Sequence, residues 1–268
     1  MAEDSAFRSA TTIAQTFVEA RRLARPLADF PGAPPTDLAG AYEVQDAAIG
    51  LWPDAIVGWK VGRVPPAFEA RLGQSRLAGP IFRAGLWPAE PGAATRFPVI
   101  EGGFAAVEAE LVYVIGRDVP AGKVDWTPGE ALDVVESQRL GVEIAGSPLA
   151  SINRLGSTVV ASDFGNNTGL ILGAAVSGTT ADLVCETFID GVSVGRGGPG
   201  DILGGPLGSL CFLLAHCARH GRPLQAGQMV STGAMTGIHD IVAGQTARVR
   251  FGELGEIACA AVPAEPLS

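Results

Sequence analysis

Three carboxylates stand where an apolar strand leaves little reason for them. Glu108 and Glu110 lie two apart within residues 107–115 (VEAELVYVI), so on a strand both project from one face. Glu143 interrupts a second apolar run, Gly-Val-Glu-Ile-Ala at 141–145. Like charges held close raise one another's pKa and add to the cost of desolvation unless a cation or hydrogen-bond donors compensate. An E-x-E pair alone equally describes the solvated face of an edge strand. The third carboxylate makes the set a hard-oxygen site, suited to magnesium or manganese, whereas zinc would call for histidine or cysteine.

Lys60 sits in Gly-Trp-Lys-Val-Gly at 58–62, a lysine flanked by apolar residues and by glycines that permit close backbone approach. It reads either as a cation near an anionic intermediate or proton donor tuned by burial, or as a snorkelling surface lysine. The segment 161–173 (ASDFGNNTGLILG) gathers Asp163, Asn166 and Asn167 before a strand. It can offer amide and backbone hydrogen bonds to a ligand, and equally has the composition of a turn. Ser231-Thr232-Gly233 is ambiguous in the same way. His216 and His220 are four apart on an expected helix, but Cys217 follows the first where a zincin has glutamate. These two and His239 read as structural. The glycine-rich stretch 201–208 lacks the Walker lysine and the G-x-G-x-x-G pattern, which excludes a nucleotide loop.

The elements that must carry these residues follow from periodicity. Ile13, Phe17 and Val18 recur at helical spacing over 5–23, with Arg21 and Arg22 at the end where cations suit the helix dipole. A proline-rich stretch at 25–35 ends this helix, and Thr36 or Asp37 caps a second one through Tyr42, Gln45 and Ile49. Strands are expected at 56–62, 107–115, 141–145, 168–172, 183–189, 192–194, 229–232 and 246–251, with a hairpin turn at Asp190-Gly191. Helices are expected at 128–140 and at 207–220, the latter closed by Gly221 and Pro223. Strands outnumber helices without regular alternation, which points to a mixed or antiparallel α+β fold.

With 268 residues the chain has room for a large core, and 28 acidic against 19 basic residues leave a formal charge of −9. Such a balance opposes a nucleic-acid partner. Cys185, Cys211, Cys217 and Cys259 form no C-x-x-C pair, and reduced thiols in a cytoplasm are expected. No segment has the basic-then-apolar order of a signal peptide or the length of a membrane span, so no membrane association is expected.

Together these segments resemble the hydratase and decarboxylase branch of the fumarylacetoacetate hydrolase superfamily, which contains 2-keto-4-pentenoate hydratase and 4-oxalocrotonate decarboxylase. The likeness runs from Tyr42-Glu43-Val44-Gln45-Asp46 through GWKVG at 58–62, VEAELVYVIGRDV at 107–119, GVEIAGS at 141–147 and SDFGNNTGLILG at 162–173, to the run GGPLGSLCFLLAHCARHGRPLQAGQMVSTGAMTG at 204–237. It implies a β-rich mixed-strand roll, with an N-terminal helical or α+β extension at 1–95 carrying the Lys60 strand and a catalytic core at 96–268. It implies Mg2+ or Mn2+ on Glu108, Glu110 and Glu143, an active-site lysine at Lys60, and Asp163, Asn167 and Thr232 on loops lining the substrate pocket. A cytoplasmic homo-oligomer acting on a small 2-oxo acid in aromatic compound catabolism is implied, together with association with a pathway aldolase or decarboxylase. The expected reaction is hydration of a 2-hydroxydienoate or 2-oxo-enoate. Decarboxylation of 2-oxo-3-hexenedioate is the alternative, and a non-catalytic binding or scaffold member is an alternative of another class. One departure bears on the reaction: the hydratases have a Pro-Asp-aromatic-Gly stretch where residues 77–82 here read LAGPIF, without an acid. The C–C hydrolase branch has an Arg-Asp-x-Gln run after the third ligand, and 141–149 contains none.

Overall fold

A computed structural model describes residues 2–267 of the chain, with side chains from residue 9 onward. The two expected helices come first, α1 (Ala2–Arg22) and α2 (Leu38–Leu51). Asp37 rather than Thr36 caps α2, its carboxylate accepting from Gly40 N at 2.9 Å. Ile13, Phe17 and Val18 form the buried stripe of α1 and pack with Val44, Ala48, Ile152, Val159 and Phe164. That stripe fixes the helix against segments far along the chain.

Then come β1 (Ile56–Arg63), α3 (Pro66–Leu72), β2 (Arg76–Phe82), β3 (Leu86–Pro88) and β4 (Thr95–Val99). The long strands β5 (Phe104–Ile115) and β6 (Val135–Ser147) flank the short helix α4 (Pro128–Leu132). The helix expected over 128–140 is cut short here. A Thr127/Glu130 capping box does start it, but from Val135 the chain pairs with β5 along nearly its whole length, Val135 opposite Ile115 and Ser147 opposite Phe104. Tertiary pairing overrides the local helix signal. The remainder is α5 (Ile152–Leu155), α6 (Ser157–Ser162), β7 (Asn167–Val176), β8 (Cys185–Ile189), β9 (Val192–Gly197), α7 (Gly205–Arg219), β10 (Met229–Ser231), β11 (His239–Asp240), β12 (Thr246–Phe251) and β13 (Glu256–Pro263). Asp190 and Gly191 turn β8 into β9 with φ of 47° and 81°, the positive values that a type I′ turn demands.

The strands form two mixed sheets. The larger runs β2-β1-β10-β5-β6-β7-β3, with β11 also on β5, and the smaller runs β4-β13-β12-β8-β9. Strands from both sides of residue 95 enter the larger sheet, whereas the smaller sheet is built from residue 95 onward. Val107, Ala109 and Leu111 of β5 and Leu140, Val142 and Ile144 of β6 face the smaller sheet's Phe97, Val249, Phe251 and Ile257 across the main core. The alternation of a strand then requires Glu108, Glu110 and Glu143 to occupy the opposite face. Leu210, Leu213 and Leu214 of α7 cover Trp59, Val61 and Ile115 at the other end of the larger sheet. The architecture is the β-rich α+β roll with N-terminal helices that the sequence predicts. No described helix is long and apolar enough to cross a membrane, and the four cysteines are free thiols.

Candidate metal centre

The pairing of β5 with β6 sets Glu108 directly opposite Glu143, with Glu110 one pleat further along the same face. One carboxylate oxygen from each lies within 4.8 Å of the other two. Repulsion between full charges so placed amounts to at least about 3 kcal/mol per pair at an effective dielectric of about 20. Glu110 and Glu143 are fully buried and Glu108 is 7% exposed. Burial first, and Glu143 second, push Glu108 up to about 7; the same causes, with Glu108 added, hold Glu110 well above the ordinary carboxylate range.

Lys60 is the counter-charge. Its Nζ lies 3.1 Å from Glu143 Oε1 and donates to Asn166 Oδ1 at 3.1 Å. Burial acts to lower its pKa, but Glu143, and then Glu108 and Glu110, outweigh that and keep it above its ordinary value. The side chain therefore stays an ammonium at neutral pH. One ammonium against three carboxylates leaves the cluster net negative when all are ionised.

The donors around the carboxylates are one-sided. Ser231 Oγ and Gly233 N both donate to Glu110 Oε2, the latter at 2.9 Å, and Asn167 Nδ2 donates to Glu143 Oε1 at 3.0 Å. The other two oxygens, Glu110 Oε1 and Glu143 Oε2, are buried with no hydrogen-bond partner. A buried carboxylate oxygen without a partner is costly. An all-oxygen donor set of three carboxylates facing one ammonium, with two unmet acceptors, fits a hard divalent cation. Among the described residues no other group of histidine, cysteine, aspartate and glutamate side chains gathers in this way.

Beside the carboxylates opens a cavity of about 600 Å³, lined by Lys60, Leu77, Glu108, Asn166 and Thr232 and bordered by Arg63, Arg76 and Arg196. The loop that delivers Asn166 is strained. Phe164, Gly165 and Asn166 have φ of 54°, 62° and 54°, and two of the three are residues with a Cβ, for which this region is unfavourable. The loop rests on β2 at Gly79, the partner of Lys60 across β1 and β2. A Cβ there would stand 2.0 Å from the Phe164 carbonyl oxygen, so this contact requires glycine.

The other residues expected at the site separate in the structure. Thr232 lines the cavity while its hydroxyl donates to Leu111 O at 2.8 Å. Asn167 reaches the carboxylates from behind, through Glu143. Asp163, expected to line the pocket, is enclosed by Arg21 and Ser147: Arg21 Nε donates to Oδ1 at 2.6 Å, and Arg21 Nη2 and Ser147 Oγ donate to Oδ2. A fully buried carboxylate needs such partners. Asn166 joins the site from a segment that the sequence marked as a candidate loop, and Ser231 from the end of an expected strand. Arg21 was legible only as a cation suited to a helix end. The histidines stand apart from the carboxylates. The rings of His216 and His220 lie 4.3 Å apart, tilted, beside Tyr42, and His239 Nε2 lies 2.9 Å from Thr236 O.

No family model matches the chain. It is similar to the TodF product hydratase of Pseudomonas putida, 27% identical over 84% of this chain and 84% of that protein. It is 29% identical to the 4-oxalocrotonate decarboxylase of a Pseudomonas species, over 75% of this chain and 77% of that one. It is 28% identical to 2-keto-4-pentenoate hydratase 2 of Dechloromonas aromatica, over 82% and 85%. Among solved structures it superposes on the 4-oxalocrotonate decarboxylase from Pseudomonas putida G7 complexed with magnesium and adipate, with a TM-score of 0.77 at 21% identity over 95% of this chain and 98% of that one. It also superposes on a fumarylpyruvate hydrolase from Pseudomonas aeruginosa in complex with Mn2+ and pyruvate, with a TM-score of 0.55 at 16% identity over 77% and 89%.

Proposed function

We propose, on the premise that the chain is a homologue of 2-keto-4-pentenoate hydratases and of 4-oxalocrotonate decarboxylase with the fold of the fumarylacetoacetate hydrolase superfamily, that it is a metal-dependent lyase adding water to a small 2-hydroxydienoate or its 2-oxo-enoate form. The observation that carries this reading is the pair of buried, unpartnered oxygens Glu110 Oε1 and Glu143 Oε2 within the cluster of three buried carboxylates. Glu108, Glu110 and Glu143 would hold Mg2+ or Mn2+. When bound, such an ion supplies Lewis-acid polarisation of a 2-oxo acid's keto and carboxylate oxygens.

The protein's own groups do the rest. Lys60, held by Asn166 and kept as an ammonium, stabilises negative charge developing on the substrate or returns a proton to its carbon chain. Residues 77–82 offer no acid, and Leu77 contributes an apolar wall instead. Proton transfer in that part of the cavity therefore falls to Lys60 or to water. Thr232 borders the substrate, Asn167 serves it from behind Glu143, and Asp163 serves it through Arg21 and the loop that carries the two asparagines.

A second reading, decarboxylation of a dicarboxylic 2-oxo acid, is favoured by one observation. Arg63, Arg76 and Arg196 border the cavity, and none of them is in an ion pair among the described residues. Arg63 and Arg76 stand directly opposite one another on β1 and β2, an unfavourable pairing that a substrate's distal carboxylate would relieve. Turnover of 2-hydroxydienoates with and without a second carboxylate, in magnesium, separates the two. Water addition without carbon dioxide release supports the hydratase, carbon dioxide release supports the decarboxylase, and no turnover of any member supports a non-catalytic role. The same reading places the protein in the cytoplasm as a homo-oligomer, with a pathway aldolase or decarboxylase as neighbour and neither nucleic acid nor membrane as partner.

A further inference from the structure

The residue that holds the site's most strained segment comes from the N-terminal helix. Arg21, in the last turn of α1, reaches across the molecule to the loop between α6 and β7. Its Nε and Nη2 grip Asp163 at 2.6 and 3.0 Å, its Nη1 donates to Asn167 O at 3.1 Å, and its Nη2 donates to Gly146 O at 2.8 Å. The guanidinium also lies 5.3 Å from the centre of the Phe164 ring, within range of a cation–π contact. One side chain thus touches both ends of the three residues with positive φ and ties them to the end of β6. Every one of these contacts is shielded, since the Arg21 side chain is 8% exposed and that of Asp163 is fully buried.

The loop's two asparagines are its only side chains that reach the reacting groups. Asn166 accepts from Lys60, and Asn167 donates to Glu143. Backbone held at unfavourable φ persists only where its surroundings over-determine it; Arg21 bonds Asp163 and Asn167 on either side of it, beside Ser147 on Asp163 and Asn153 on Asn166. We infer that Arg21 is a positioning residue: by gripping Asp163 and Asn167 O it holds residues 163–167 in the strained form that presents Asn166 to Lys60 and Asn167 to Glu143. This assigns the N-terminal helix a part in the chemistry, and it rests on the reading of Lys60 and the three glutamates as the reacting site. A lysine in place of Arg21 keeps the charge but loses the planar fork that satisfies two carboxylate oxygens and two carbonyls together.

The test uses the Arg21→Lys chain, with three measurements on the folded protein. A crystal structure should show Asn166 and Asn167 withdrawn from Lys60 and Glu143. Mn2+ titrated calorimetrically should bind about 10-fold more weakly, the order of effect of losing the groups that orient metal ligands. Adding Asn167→Ala to Arg21→Lys should weaken Mn2+ binding little further, because both changes remove the same hold on Glu143. If Arg21→Lys is not recovered folded, Asp163→Asn, which keeps the shape of the gripped side chain but removes its charge, carries the same expectations. A lowered melting temperature with loop, Mn2+ affinity and turnover unchanged would overturn the inference and leave Arg21 a structural residue. Failure of the wild-type chain to bind Mn2+ would instead remove the metal reading, while the position of the loop in the variant still decides for or against the grip of Arg21.

Discussion

Lys60 is held between two demands, since burial disfavours its charge while three carboxylates require it. If that ammonium stabilises an anionic intermediate, Lys60→Met should lower turnover by about 100-fold or more. A near-normal rate at an unchanged melting temperature would remove it from the mechanism. Glu108 gives a prediction with a definite sign. Folded, it keeps its proton to about pH 7, against an ordinary 4.5. Between those values the folded chain binds the extra proton, so the metal-free protein loses stability as pH rises through that window. The melting temperature of chelator-treated protein should fall from pH 4.5 to 7, and magnesium should raise it more at pH 8 than at pH 5. Equal increments would contradict the assignment. At this scale the three glutamates and Lys60 were legible because charge in an apolar strand is conspicuous in one dimension. Asn166 and Arg21 were not, because their roles depend on partners 106 and 142 residues away.

Among the elements, β5 announced itself by length and by its unbroken apolar face, and the turn at Asp190-Gly191 by its residue types. Residues 135–140 of β6 did not, since Glu, Gln, Arg and Leu follow a genuine helix start and only the register with β5 makes them a strand. The strands β2, β3 and β4 were missed for a shared reason. Each contains a proline, at 80, 88 and 98, which argues against a strand in sequence but is tolerated at a sheet edge, and all three are edges. The contact of β2 with the strained loop is the element-scale prediction. Gly79→Ala places a methyl against the Phe164 carbonyl oxygen, and should cost about 2 kcal/mol or more of stability while lowering turnover through Asn166. Urea denaturation reads the first effect, and an unchanged midpoint would show that the loop has room to move.

On the scale of the whole molecule, the sheets bury their inner faces against each other and leave β9 as an open edge. Val192 and Val194 on it are 65% and 42% exposed, an apolar edge that proteins normally cover. We expect a homo-oligomer through this edge, so that Val192→Lys with Val194→Lys should shift sedimentation towards the monomer. A wild-type chain sedimenting as a monomer at micromolar concentration would contradict this. The N-terminal helices and β-rich body were legible in outline from the change of periodicity near residue 56. The grip of α1 on the active loop was hidden, because a stripe of apolar residues says that a helix packs but not on what. Lyase activity is expected to depend on a divalent cation held by Glu108, Glu110 and Glu143. Its most direct test is the disappearance of 2-hydroxypenta-2,4-dienoate, followed by its ultraviolet absorbance, with protein stripped by chelator and then given magnesium, beside Glu143→Gln treated alike. Turnover is expected only for the wild-type chain and only after magnesium is returned; a full rate in excess chelator, or in Glu143→Gln, would show that the chemistry needs no cation at this site.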